Sequence, residues 1–298
     1  MVVYLNGQFV PEQAAYVSVF DRAFLYGDGL FETIRVYSRT PALWDRHIQR
    51  LASGAKALRL PLPVPDSELR DIVVELLDRN HLADAVVRLN LSRGIGRRGY
   101  SIRGANQPNL VIAAFSAEPL RTFEAKTWRL HTSTYRVPEN DPLASFKTTS
   151  KLTHVLARAE AEDAGADEAL ILNTRGYVAE SSSANVFWID HGVVHTPPLA
   201  AGGLAGVTRG WLIDLLGAAG WQVRETDVQP EALLRVSSVF LTVSSWGLVR
   251  ASHLDGRELG RDPQFQGVID LFRSGLQRGS SGIGFGNDDQ PIGDDRSS

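Results

Sequence analysis

Short runs rich in apolar and β-branched residues, bounded by polar turns, predict strands over residues 2–5, 9–10, 31–37, 85–92 and 109–115, with an Asn6-Gly7 turn closing the first hairpin. Between them the spacing lengthens to that of a helix. Residues 47–58 put Ile48, Leu51, Ala55 and Leu58 on one face, and residues 67–77 follow an Asp66 cap. After a Pro-containing stretch over 117–123 the pattern resumes with a helix over 149–164. Its Leu152, Val155, Leu156 and Ala159 form an apolar stripe that predicts a core-facing side, and Gly165 ends it. Strands over 168–172 and 177–179 meet through Thr174-Arg175-Gly176, and 185–189 pairs with 193–195 across Asp190-His191-Gly192. A helix over 207–219 and a strand over 239–243 complete the second half. Antiparallel hairpins with helices outside them predict an α+β fold in two units, 1–118 and 124–274, joined by a linker at 119–123. Residues 275–298, mostly Gly, Ser and Asp, read as a mobile tail. No internal repeat is present.

Composition narrows the function. The 298 residues, 43% hydrophobic and 22% charged, suit a globular chain with one large core or two moderate ones. Lys+Arg 31 against Asp+Glu 34 leaves a net charge of -3, which argues against nucleic acid or an anionic membrane as partner and for a small-molecule substrate. With no cysteine, thiolate catalysis, disulfides and Cys-ligated metals are excluded. The seven histidines show no H-E-x-x-H spacing and no G-x-S-x-G elbow occurs, so neither a metal site nor a serine hydrolase is expected. The start MVVYLNGQFV lacks a signal peptide's basic end and long apolar run, and no stretch is long enough to span a bilayer; the expected compartment is the cytoplasm.

Four separated segments carry candidate chemistry. In SFKTTSKLTHVL, Lys147 stands at the entry to a helix, where a buried amine of depressed pKa can attack a carbonyl; read alone, the segment favours an ordinary surface lysine. Lys151 competes for that role, but its place on a polar helix face reads as solvated. Glu180 opens the run Ser181-Ser182-Ser183-Ala184-Asn185, either a turn-capping acid or a carboxylate facing a polar ligand among hydroxyl and amide donors. Gly206-Val207-Thr208-Arg209 starts a helix, either as a plain cap or as a phosphate seat, and Ser244, Ser245 and Arg50 would add donors and charge to such a seat. The loop 93–100 contains G-x-G-x-x-G, yet it leads to Gly104 and Pro108 rather than to a helix, so a dinucleotide site is rejected. Its arginines and Arg88 either take a substrate carboxylate or are solvated; Arg88 and Arg93 fall on opposite faces of a regular strand.

Taken in order, DRAFLYGDGLFETIRVY, HIQRL, SRGIGRRGYS, SFKTTSKLTHVLARAEA, ADEALILNTRGYVAESSSANVFW, GVTR and FLTVSS resemble the class IV aminotransferase family, the pyridoxal 5'-phosphate (PLP) enzymes of fold type IV. The resemblance spans about residues 4–254. It implies a smaller N-terminal α/β domain, a larger C-terminal domain built on a barrel-like sheet, PLP between them, and a homodimer. It implies further that Lys147 binds PLP and moves protons, that Glu180 faces the pyridine nitrogen, and that Arg50, Val207, Thr208 and Ser244 hold the phosphate. Ser183 and Asn185 join the cofactor set, and Phe31, Arg88, Arg98 and Ser245 the substrate set. Phe31 replaces the tyrosine of D-amino acid aminotransferases, whose R-x-H is here Arg98-Gly99-Tyr100, and Val86 replaces a tyrosine of branched-chain aminotransferases. SRGIGRRGYS and the E-S-S-S-A-N run are most similar to aminodeoxychorismate lyase, with a transaminase as the alternative and a non-catalytic PLP- or carboxylate-binding module as the non-enzymatic one.

Overall fold

The structure, a computed structural model, describes residues 1–119 and 125–280. The chain opens with a hairpin, β1 (Val2–Leu5) and β2 (Gln8–Pro11), then a one-turn helix α1 (Arg22–Tyr26) and the strands β3 (Gly29–Tyr37) and β4 (Thr40–Pro41). Helices α2 (Trp44–Ala57) and α3 (Asp66–Arg79) precede β5 (Ala85–Ser92) and β6 (Asn109–Ser116). These strands form an antiparallel sheet in the order β2-β1-β6-β5-β3-β4. Alternation sends Leu30, Ile34 and Val36 of β3 toward the helices, where they pack with Ile48, Leu51, Leu69, Val73 and Leu76. Phe31 and Thr33 take the opposite face beside Arg88, the register partner of Thr33.

The second sheet is larger. It comprises β7 (Lys126–Val137), β8 (Glu168–Asn173), β9 (Val178–Ser181), β10 (Asn185–Asp190), β11 (Val193–Thr196), β12 (Val223–Glu225), β13 (Ser238–Val243), β14 (Gly247–Leu254) and β15 (Arg257–Glu258). Helix α4 (Leu152–Asp163) lies between β7 and β8, α5 (Val207–Ala218) between β11 and β12, and α6 (Gln264–Ser280) follows β15. The order β12-β11-β10-β13-β14-β7-β8-β9 curls into a half-barrel buried on both faces. Phe187, Phe240 and Leu248 pack under α5 and α6, while Leu170, Val186, Leu241 and Val249 fill the other side. The α+β class and the barrel-like sheet are thus present.

Several local expectations change. Asp66 is the first helical residue rather than a cap, and its carboxylate accepts a bond from Trp44 Nε1 at 2.8 Å. The helix expected from residue 149 begins at Leu152 because the preceding segment is bound to the free edge of β3: Phe31 N–H donates to Lys147 O and Thr149 N–H to Gly29 O, both at 2.9 Å. The stripe expected to face the core points outward, with Leu152 70% and Val155 60% exposed, whereas Ala157 and Ala161 are the buried residues of α4. Helix α1 was not legible; Asp21 caps it through Ala23 N–H at 2.7 Å and Gly27, at φ +68°, ends it. The tail expected from Gly275 is instead helical to Ser280, anchored by buried Leu276; residues 281–298 and positions 120–123 of the expected linker lie outside the described residues.

Candidate active site

Where the first sheet meets the half-barrel, a cavity of about 670 Å3 opens. It is lined by Lys147, Arg50, Glu180, Ser183, Asn185, Val207, Thr208, Ser244, Phe31, Arg88 and Ser245, residues drawn from distant parts of the sequence. Arg98 is exposed on the loop after β5 and does not line this cavity. A different cleft of about 700 Å3 beside α6 carries Arg250, Arg261 and Arg273 but no lysine.

The amine of Lys147 is placed by backbone pairing, since the 147–149 segment is tied to β3. Its Nζ lies 4.5 Å from the Phe31 ring centroid. Burial, helped by the charge of Arg50 and Lys151 and opposed by Glu32 and Glu180, pushes its pKa down to about 7. A neutral amine is therefore abundant at neutral pH, the state a nucleophile needs. Lys151, expected to be solvated, also lines the cavity, and burial lowers its pKa despite the pull of Glu180.

One end of the cavity gathers groups that could hold an anion. Helix α5 starts at Val207 after Gly206 with no side-chain cap, so its first N–H groups lack a side-chain partner, and Thr208 Oγ1 stands 3.3 Å from Ser244 Oγ. Gly206 is required there by close approach, because a Cβ would collide with Asn185 Oδ1. Arg50 lines the same cavity, and its aim is fixed from behind. Its Nε and Nη2 donate to both oxygens of Glu32 at 2.8 and 2.7 Å, its Nη1 to Ala205 O at 3.0 Å, and His47 Nδ1 contacts Glu32 at 2.7 Å. Burial alone would raise the Glu32 pKa, but the bonds from His47 and Arg50 outweigh it and hold the carboxyl at about 2. Burial keeps His47 below its ordinary value.

At the other end, Glu180 accepts from Leu204 N–H and contacts His154 Nε2, both at 2.9 Å. Fully buried Glu168 accepts from the Ser182 and Ser183 hydroxyls and from Arg158, orienting the serine run. On the wall toward β5, Arg88 lies over Phe31 at 3.5 Å and is bonded to Asn90 Oδ1 at 3.1 Å; burial lowers its pKa to about 10, so it stays charged at neutral pH. Arg93, by contrast, is a buried brace between Asp28 and the carbonyls of Leu58 and Arg59. Glu32, His47, His154 and Glu168 had no signature in the sequence. Glu32 alone could have been suspected, as an acid on the apolar face of a strand.

Residues 29–254 match the family described as amino-transferase class IV. The chain belongs to that family. A putative branched-chain-amino-acid aminotransferase of Methanocaldococcus jannaschii is 37% identical over 86% of this chain and 89% of its own length. The aminodeoxychorismate lyase of Bacillus subtilis is 32% identical over 82% of this chain and 83% of its own. Among solved structures, a T.th. branched-chain amino acid aminotransferase complexed with N-(5'-phosphopyridoxyl)-L-glutamate has a TM-score of 0.82 at 29% identity, covering 94% of both chains. This class IV aminotransferase-family protein is an enzyme, and its cofactor is PLP. The cavity fits that cofactor: it offers an amine of lowered pKa, an uncapped helix start beside a fixed guanidinium, and Thr242 Oγ1, buried on the cavity wall with no hydrogen-bond partner. No group of His, Asp or Glu suited to a metal ion occurs among the described residues, and none of the described helices is long and apolar enough to cross a membrane.

Proposed function

We propose that the chain is a 4-amino-4-deoxychorismate lyase, releasing pyruvate and p-aminobenzoate. In this reading Arg50, the Val207 and Thr208 N–H groups, the Thr208 hydroxyl and Ser244 hold the cofactor phosphate, Ser183 and Asn185 flank the ring, and Glu180 faces its nitrogen. Lys147 is the attachment point and the base that takes the substrate Cα proton at Nζ. PLP, when bound, supplies the electron sink for the pair left at that carbon. The observation that carries the lyase assignment is the wall toward β5. There Arg88 is fixed over Phe31 with its charge intact, 3.5 Å from the Thr33 hydroxyl, and Ser182 and Ser245 also line the cavity. Such a wall suits a substrate that brings more than one carboxylate, whereas an aliphatic side chain lying against it would leave the Arg88 charge unmatched.

Transamination is the second reading, favoured by the Methanocaldococcus relative. One assay separates them: 4-amino-4-deoxychorismate in one arm, and a panel of D- and L-amino acids with 2-oxoglutarate in the other. p-Aminobenzoate with negligible consumption of 2-oxoglutarate is the expected result; the reverse pattern overturns the lyase.

The two sheets are read as two domains, and the working unit as a homodimer in the cytoplasm. Support for the dimer comes from the surface around α1 and the start of α4, where Phe20, Phe24, Leu25 and Leu152 are exposed. Thr149 Oγ1 donates to Gly27 O at 2.8 Å, which brings these two segments together. A substrate role for Arg98, which lies outside its own chain's cavity, then falls to the second copy.

A further inference from the structure

Glu180 is held on both sides. Its Oε2 accepts the Leu204 N–H and its Oε1 meets His154 Nε2, each at 2.9 Å, while the residue is only 6% exposed. Because Oε1 accepts, the bond requires the proton on Nε2 of the imidazole. The other ring nitrogen, Nδ1, is buried with no partner. A bare lone pair there is tolerated, whereas an N–H at the same spot would bury an unsatisfied donor on a charged ring.

We infer that His154 is a positioning residue that acts through Glu180, as a neutral Nε2–H donor fixing the plane of the carboxylate and limiting how strongly it can draw a proton from the cofactor ring. The inference rests on Glu180 facing the ring nitrogen, as proposed above. With one donor on each oxygen, the carboxylate cannot rotate without losing a bond. Its remaining lone pairs are those left for the cavity. Removing His154 leaves one Glu180 oxygen without its donor, so the carboxylate takes a larger share of a proton held between it and the ring nitrogen, the ring draws electrons less strongly, and the absorbance titration of the bound cofactor moves upward.

The test uses the cofactor-loaded full chain. Absorbance of the bound cofactor titrated against pH should shift upward in His154→Ala by about half a unit or more, the equivalent of one hydrogen bond. His154→Gln, whose amide can reach the same oxygen, should recover most of that shift. Nitrogen-15 NMR of histidine-labelled protein should show one ring as the Nε2–H tautomer, with signals that vanish in His154→Gln and move in Glu180→Gln. A merely structural role would change melting temperature without moving the titration. A coloured wild type whose His154→Ala variant titrates identically overturns the inference and leaves the function standing. A wild type that never acquires the cofactor colour removes the function and this inference with it.

Discussion

Lys147 shows how burial changes the protonation of a common side chain. With its pKa near 7 rather than 10.5, roughly half the amine is neutral at pH 7, so uptake of PLP by stripped protein should rise through about pH 7 and level off by pH 9. Growth of the bound chromophore with time, followed across pH, measures this; a rate still climbing steeply at pH 9 would contradict it. The same depression has a stability consequence whose sign is fixed. Between pH 7 and 10.5 the unfolded chain binds more protons than the folded one. The buried charge therefore costs stability in full below pH 7, and the cost fades as pH rises through that window. Lys147→Met should accordingly raise the melting temperature of cofactor-free protein at pH 6 and have a much smaller effect at pH 10.

At the scale of elements, the contact of α2 with β3 does more than fill a core. Glu32 leaves β3 on the helix-covered face, where an apolar residue would ordinarily sit, and is matched by His47 and Arg50 one turn apart on α2. Breaking a buried, fully bonded carboxylate of this kind costs about 3 kcal/mol or more, so Glu32→Gln should lower the urea midpoint and loosen the aim of Arg50, weakening retention of PLP during dialysis. The folded pKa of Glu32 is about 2 against 4.5, so its stabilisation is complete above pH 4.5 and is lost as pH falls toward 2; the variant should lose less stability over that range than the wild type. Equal acid sensitivity in the two proteins would refute this account. What was legible in the sequence follows from the same physics. The strand of residues 85–92 and the hairpin after Asn185 were readable because period-two alternation and turn chemistry are local. The edge pairing that delays α4 until Leu152 was not, because the partner strand lies more than a hundred residues earlier. Lys147, Glu180 and the Val207-Thr208 helix start were found as residue types in order, whereas Glu32, Glu168 and His154 act through partners that only folding brings near.

For the whole molecule, the outward stripe of α4 explains why periodicity misled: a core-facing row and an outward-facing apolar row have the same spacing. The loop after β5 raises the matching question about the site. Buried Arg22 donates to the carbonyls of Gly99, Tyr100 and Ser101, so the loop is pinned in place with Arg98 and Tyr100 exposed rather than folded over its own cavity. If Arg98 serves substrate at all, it serves the site of a second copy across the apolar surface that carries Phe24 and Leu152. Subunit mixing decides this. Arg98→Ala and Lys147→Ala chains, each impaired alone, should regain activity when co-expressed, because one site of each mixed dimer combines an intact Lys147 with an intact Arg98 from the other chain. Random pairing gives half mixed dimers with one good site in two, so about a quarter of wild-type activity is expected in a two-fold assembly. If Arg98 instead acted within its own chain, no mixed dimer would contain a complete site, and mixing would restore nothing. Adding Phe24→Glu and Leu152→Glu to both chains should abolish the rescue and yield monomers by sedimentation, since a charge on each apolar side of a self-complementary contact is buried twice over in every dimer.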